Sequence, residues 1–135
     1  MKHTAHCQCG QLTVECRADP EFVVACNCVQ CQRRSGSAFA LGAFFRKEDM
    51  TVTGDDKEWS RPGRSGLPLT NHFCPECGTN VFWAPEMRPD HYGVAVGCLT
   101  APVAEPGNAI WLSEKQPWLS FPDHWGHYQK AVSDG

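Results

Sequence analysis

The chain has 135 residues, of which 41% are apolar and 20% charged, and its formal net charge is −3. This length and composition predict one globular domain over residues 1–135 with a modest core. The negative charge argues against nucleic acid as a partner, and no apolar stretch approaches the roughly 20 residues of a membrane helix.

Short apolar or alternating segments, separated by Pro, Gly and Asp, recur along the chain. This pattern predicts a mainly β fold of short antiparallel strands. Residues 29–34 are predicted to form one helical turn, and residues 55–67 an exposed hairpin or loop. The segment after residue 118 either packs its aromatic side chains or ends in a tail over 124–135. The predicted strands are residues 11–16, 38–45, 51–54, 91–99 and 109–112. Residues 21–25 form a further short apolar run before the central cysteines, and residues 69–73 and 80–83 lead into and out of the C-P-E-C-G motif.

Seven of the nine cysteines lie in three tight clusters with C-x-C or C-x-x-C spacing. The odd number of cysteines and the lack of an apolar signal region at the N-terminus favour thiolate metal ligands over disulfides. We therefore expect a reduced, cytoplasmic protein. The clusters are Cys7 and Cys9; Cys26, Cys28 and Cys31; and Cys74 and Cys77.

The cluster sizes predict two zinc sites. Structural zinc usually has four protein ligands, whereas catalytic zinc has three and keeps one position open. If no cluster is divided between metals, the outer two clusters form a closed structural site and the central cluster forms an open one. We call Cys7, Cys9, Cys74 and Cys77 the four-cysteine group, and Cys26, Cys28 and Cys31 the three-cysteine group.

Other interpretations of the cysteines remain open at this point. The three-cysteine group is purely structural if Cys98, His72 or a carboxylate supplies a fourth ligand, and a redox thiol cluster is a further alternative. Cys16 continues the apolar face of Leu12 and Val14, so we expect it to be a small buried hydrophobic residue, and we favour the same role for Cys98. The histidines are expected to be solvated or locally hydrogen-bonded.

Three motifs, in order, resemble the family of glutathione-dependent formaldehyde-activating enzymes, also called the GFA or centromere-protein-V domain. They are C-x-C-G near the start, C-x-C-x-x-C followed by Arg-Arg-Ser-Gly-Ser, and F-C-P-E-C-G-T-N-V-F. With the later segments GCLTAP and IWLSEKQPW, the resemblance covers residues 7–123. One departure is Cys98, which stands where the family more often has a serine.

The resemblance implies an Mss4-like fold with two zinc ions per chain, one structural at the four-cysteine group and one catalytic at the three-cysteine group. It also implies a carbon–sulfur lyase that condenses glutathione with formaldehyde to S-hydroxymethylglutathione. The chemistry suits an open zinc site, which favours the thiolate form of an incoming thiol for attack on a small aldehyde.

The substrate contacts predicted from the sequence follow the three-cysteine group. Arg33 and Arg34 are the nearest cations for the two carboxylates of glutathione, and Gly36 and Ser37 are predicted to bring backbone amides close to the ligand. No general acid or base is evident. The alternative function is a non-catalytic zinc module that binds or carries glutathione or another thiol, or that mediates protein interactions. A homodimer is left open.

Overall fold

The computed structural model describes residues 2–132, which divide into two compact units. The first unit contains residues 2–21 and 43–103, and the second contains residues 22–42 and 104–132. Each unit is therefore assembled from two separate stretches of chain. The prediction of a single domain remains a prediction.

The fold is mainly β with one short α-helix, as the sequence predicts. In the described part of the chain, 3₁₀ turns cover Lys47–Asp49, Val96–Cys98 and Leu112–Glu114. No helix among the described residues is long and apolar enough to cross a membrane. The remaining elements are β1 (His3–His6), β2 (Thr13–Cys16), β3 (Phe22–Cys26), α1 (Val29–Ser35), β4 (Ala40–Arg46), β5 (Met50–Thr53), β6 (Lys57–Pro62), β7 (Pro68–Phe73), β8 (Asn80–Ala84), β9 (His91–Ala95), β10 (Asn108–Ile110) and β11 (Gly126–His127).

The first unit contains two antiparallel arrangements. Strands β1, β2 and β5 form a three-stranded sheet with β2 in the centre. Strands β6 to β9 follow one another as an antiparallel meander. Buried apolar side chains fill the core of this unit, among them Leu12, Val14, Phe45, Val81 and Val94. Cys16 is fully buried beside them, which confirms its expected role as a small hydrophobic residue.

Residues 55–67 confirm the predicted exposed hairpin. Strand β6 is exposed along most of its length and pairs with β7 from Lys57 opposite Phe73 to Pro62 opposite Pro68. The turn between them is closed by a hydrogen bond from the Gly63 amide to the carbonyl of Leu67.

In the second unit, strands β3, β10 and β11 pair in parallel, with β10 in the centre. The sequence pattern predicted antiparallel strands and did not reveal this pairing. The final segment, from residue 118 on, is packed only in part: the Phe121 ring stacks on Trp125 at 5.7 Å and meets Phe39 edge-on at 5.2 Å, whereas Trp118 is 73% exposed. The last part of the predicted tail, residues 133–135, lies outside the described residues.

The predicted strand over residues 91–99 ends earlier than expected. Strand β9 stops at Ala95, and the chain turns through Val96–Cys98. Cys98 therefore does not continue the buried face of β9. It is half-buried in a shallow groove whose lining also includes His6, Cys7 and Thr100.

An ion-pair network in the first unit gives a testable pH dependence. The Glu21 carboxylate contacts Nε2 of His91 at 2.6 Å and Nε of Arg46 at 2.9 Å. These hydrogen bonds, that of His91 first, hold the pKa of Glu21 below its ordinary value of 4.5. A carboxyl group with a lowered pKa in the folded state stabilises the fold above its unfolded pKa, and this stability is lost as the pH falls through the folded pKa.

We expect Glu21→Gln to lower the free energy of unfolding at pH 7, and the difference from the wild type to shrink once the pH falls below 4.5. Chemical denaturation of the two proteins at matched pH values measures this difference and cancels any acid release of metal common to both. Asp123→Asn, at an exposed site outside this ion-pair network, is the control and should show no such dependence. A Glu21→Gln difference that stays constant with pH would contradict the account.

Candidate metal centres

The four-cysteine group is brought together within the first unit by two turns. Each turn is closed by backbone hydrogen bonds: the Gly10 amide donates to the carbonyl of Cys7, and the Gly78 amide to that of Cys74. Gly10 and Gly78 have φ values of 87° and 79°, a region that glycine enters without a steric penalty. The two turns place the four sulfur atoms within 4.8 Å of one another.

The distances between these sulfur atoms fit a tetrahedral zinc ion. The Sγ atom of Cys9 lies 3.6 Å from that of Cys7 and 3.7 Å from that of Cys74. With Zn–S bonds of about 2.3 Å, the sulfurs of a tetrahedral site are separated by about 3.8 Å. The donor set and its spacing therefore suit a closed metal site.

Hydrogen-bond donors surround the four sulfurs, as expected for thiolate ligands. Cys7 Sγ accepts a hydrogen bond from the Leu12 amide, and Cys74 Sγ accepts one from Nε2 of Gln11. Hydrogen bonds from Thr79 lower the pKa of Cys77 to about 5.

Burial raises the pKa of Cys74, but hydrogen bonds from Cys77, Gln11 and Glu76 outweigh it and hold that pKa below its ordinary value. A backbone hydrogen bond from Gln11 lowers the pKa of Cys9, but burial and the neighbouring thiols outweigh it and raise that pKa to about 12. The hydrogen bonds to Cys74 and Cys77 favour the deprotonated form that binds metal.

The three-cysteine group lies in the second unit, at the end of β3 and in α1. The sulfur atoms of Cys26, Cys28 and Cys31 are within 4.8 Å of one another. Cys28 is the N-cap of α1, because its sulfur accepts a hydrogen bond from the Cys31 amide at 3.3 Å. Helix geometry brings residue i+3 back beside the cap, so C-x-x-C spacing places both thiols on one side of the first turn.

The pKa values of Cys26 and Cys31 are raised by neighbouring thiols and by burial. Hydrogen bonds with Cys28 and Cys31, followed by burial, raise the pKa of Cys26. The hydrogen bond with Cys26 lowers the pKa of Cys31, but Cys28 and burial raise it, and the resulting pKa is about 11. Crowding and burial thus favour the protonated form of Cys26 and Cys31, and metal binding at this group would release protons.

Among residues 2–132, no fourth histidine, cysteine or acidic side chain belongs to the three-cysteine group. His72 and Cys98, which the sequence left open as fourth ligands, have other neighbours. His72 contacts Asp56 at 2.6 Å and Glu58 at 3.6 Å. Burial raises the pKa of Cys98, and so does the charge of Cys7 and Cys77, which places Cys98 beside the four-cysteine group.

The two arginines of α1 differ in their relation to the cysteines. Arg34 is half-buried, and its Nη2 atom lies 3.9 Å from the sulfur of Cys31. Arg33 is exposed to solvent. Because residues i and i+3 of a helix are neighbours, Cys31 and Arg34 share a face that Arg33 does not.

The amides of Gly36 and Ser37 complete the C-terminus of α1. Gly36 has a left-handed φ of 64°, and both amides donate to the carbonyl of Gln32. Both residues are exposed. The contact predicted between these amides and a substrate therefore requires this cap to open, and it stays a prediction.

A second stretch of chain holds the three-cysteine group and was not found from the sequence. Nε2 of Gln32 donates to the carbonyl of Asn27 at 2.8 Å and to that of Glu114 at 2.9 Å. Oε1 of Glu114 accepts a hydrogen bond from the Val29 amide at 2.8 Å. The segment around Glu114 thus fixes both the loop that carries Cys26 and Cys28 and the first turn of α1. Only its proximity in space, and no sequence spacing, indicates this role.

Two comparisons with known proteins agree with this arrangement. The sequence model of a family described as "Glutathione-dependent formaldehyde-activating enzyme" matches residues 2–114. A crystal structure of a Rhodobacter sphaeroides protein is similar with a TM-score of 0.55 and 24% identity, over 73% of this chain and 89% of that one. At this identity the structural match shows a shared fold.

Proposed function

The chain belongs to the glutathione-dependent formaldehyde-activating enzyme family, and we propose that it is a zinc-dependent carbon–sulfur lyase. In this proposal it condenses glutathione, or a similar thiol, with formaldehyde or another small aldehyde to an S-hydroxymethyl adduct. The observation that carries the proposal is the three-cysteine group, which offers three sulfur ligands without a fourth protein ligand among the described residues. Three ligands and one open position are typical of catalytic zinc.

The proposed reaction needs little from the protein beyond positioning and charge. The thiol sulfur forms a bond to the aldehyde carbon, the carbonyl π electrons move to oxygen, and the thiol proton ends on that oxygen. Zinc at the three-cysteine group, when bound, would supply a Lewis acid that favours the thiolate form of the incoming thiol. The four-cysteine group, whose sulfurs already fill a tetrahedral set, has the structural role.

The residues of α1 and its neighbours orient the substrate in this proposal. Arg34 lies beside Cys31 and is the cation best placed to bind a glutathione carboxylate. Ala40 and Trp111 pack against the cysteines and limit the access of water to them. Gln32 and Glu114 hold the ligand loop in place.

Exchange between formaldehyde and its glutathione adduct tests this function. With ¹³C-formaldehyde, magnetisation-transfer NMR measures the rate of interconversion, including the uncatalysed rate in buffer. We expect the zinc-loaded protein to accelerate exchange in proportion to its concentration. A zinc-loaded protein that binds glutathione without accelerating exchange would instead indicate the non-catalytic thiol-binding module.

The positions of the two arginines give a matched pair of variants. We expect Arg34→Met to raise the KM for glutathione about tenfold, since a hydrogen bond to a charged group contributes about 1.5–3 kcal/mol. Arg33→Met, one residue away on the exposed side of α1, should change KM less than twofold. Initial rates over a range of glutathione concentrations measure both values. Equal effects of the two substitutions would show that Arg34 makes no specific contact.

A further inference from the structure

Trp111 is the aromatic side chain packed against the three-cysteine group. The buried residues Cys28, Cys31 and Ala40 form a small apolar cluster, and Cys26 and Trp111 pack against it as half-buried members. Trp111 thus packs against the cysteines and is itself partly exposed to solvent. A large ring in this position restricts what reaches the sulfurs.

The backbone of Trp111 has an unusual conformation. Its φ of 54° and ψ of 42° lie in the left-handed region, and it is the non-glycine residue with positive φ among residues 2–132. For a bulky side chain this conformation is disfavoured, because Cβ approaches the neighbouring carbonyl oxygen. Such residues are found most often at functional sites, where the surrounding structure holds them in place.

On one side, residues 111–113 are hydrogen-bonded to residues 128–130. The Trp111 amide donates to the carbonyl of Lys130 at 3.0 Å, and the Leu112 amide donates to that of Tyr128 at 3.1 Å. The Ser113 hydroxyl donates to the carbonyl of Gln129 at 2.7 Å. Three consecutive residues are therefore tied to one neighbouring stretch.

On the other side, the residues that follow Trp111 are hydrogen-bonded to α1, which contains Cys31. Glu114 accepts from the Val29 amide, and the side chain of Gln32 connects the carbonyl of Glu114 to Nε2 of Gln116. The hydrogen bonds on both sides of Trp111 determine its backbone and maintain the left-handed conformation. The ring itself packs against the three-cysteine group.

We propose that Trp111 is the specificity-determining wall of the three-cysteine site, which admits unbranched primary thiols and excludes thiols branched at the carbon that carries sulfur. This inference rests on the proposed function, since it concerns the thiol that the same site binds. An apolar wall discriminates by roughly 10- to 200-fold for each methylene that it cannot accommodate. Glutathione carries its thiol on an unbranched CH₂ group and satisfies this restriction.

Two thiols that differ only by two methyl groups test the proposal. N-acetylcysteine and N-acetylpenicillamine are titrated separately into cobalt(II)-loaded protein, and the thiolate-to-cobalt absorption band reports binding at each concentration. The ratio of the two dissociation constants is the readout, because any intrinsic preference of the metal is common to all variants.

We expect Trp111→Gly, which removes the ring and suits the left-handed backbone, to reduce this ratio at least tenfold with two metals retained. Trp111→Phe keeps an aromatic wall and should stay close to the wild type. If the glycine variant loses a metal, Trp111→Asn replaces it, since asparagine also tolerates this conformation.

Each remaining outcome has a distinct meaning. A wild-type spectrum that glutathione changes but neither of these two thiols changes would overturn this inference alone, because N-acetylcysteine is an unbranched primary thiol. A wild-type spectrum that none of the three thiols changes would overturn the proposed function and this inference with it. A wild type that responds, with an unchanged ratio in the glycine or asparagine variant, would overturn the wall alone. Loss of a metal in both variants would also overturn it, because the ring would then serve to hold the ligand loop.

Discussion

Cys74→Ala is expected to abolish folding of the first unit, because Cys74 belongs to the proposed structural zinc site. Cys74 is fully buried, and its group joins turns that lie more than 60 residues apart, at residues 7–10 and 74–78. Structural zinc contributes about 10–16 kcal/mol of apparent binding free energy, which is comparable with the whole stability of about 5–15 kcal/mol of a small domain. We expect loss of one zinc, loss of the cooperative thermal transition and aggregation.

Cys16→Ala is the matched control for this prediction. Cys16 is equally buried but belongs to the core between β1 and β5, outside both cysteine groups. The Cys16→Ala substitution should lower the free energy of unfolding by about 1 kcal/mol and leave both metals bound. Elemental analysis and thermal denaturation of the two variants measure the contrast. A Cys74→Ala protein with wild-type metal content and melting temperature would show that the four-cysteine group is not a structural metal site.

The second large effect is expected at Cys31. Cys31→Ala removes one of three ligands, so the protein should retain one zinc and lose the other, and turnover should fall at least about 100-fold. This estimate is a lower limit, since residues that merely orient metal ligands already contribute 10- to 100-fold. The near-native circular dichroism expected for this variant separates the loss of activity from a loss of fold.

Cys98→Ala is the control for the loss of activity. Its thiol is half-buried, as Cys26 is, but it lies beside the four-cysteine group. We expect it to retain two metals and turnover within about twofold of the wild type. If Cys31→Ala kept both metals and full turnover, or if Cys98→Ala lost as much activity as Cys31→Ala, the assignment of the three-cysteine group as the reaction site would be wrong.

The two cysteine groups could be predicted from the sequence because their geometry is local. C-x-C in an extended chain and C-x-x-C at a helix cap each bring thiols together without information from the rest of the fold. The two groups of sulfur atoms in the structure have the predicted members. The roles of the two groups, one structural and one catalytic, stay predictions that the variants above address.

What the sequence did not reveal depends on contacts between distant segments. β1 has the sequence His-Thr-Ala-His, with no apolar alternation, and it forms because β2 offers it a partner. β3 and β10 pair in parallel although the first ends at Cys26 and the second begins at Asn108. Short strands of this kind have no pattern that fixes the direction of pairing.

The position of Arg34 could be predicted from the sequence, whereas the backbone conformation of Trp111 could not. The preference for Arg34 over Arg33 was available, because only Arg34 is three residues from Cys31 in the predicted helical turn. The left-handed backbone of Trp111 was not, since tryptophan carries no preference for that region and its conformation is imposed by hydrogen bonds from both sides.

The most direct test of the account is the zinc content of protein purified without added metal, measured with and without glutathione under competition from a chromophoric chelator. We predict two zinc ions per chain, one released slowly in all conditions and one whose rate of release changes when glutathione is added. Two zinc ions that glutathione does not affect would contradict an open thiol-binding site, and a single zinc ion would remove the three-cysteine group from the proposed reaction.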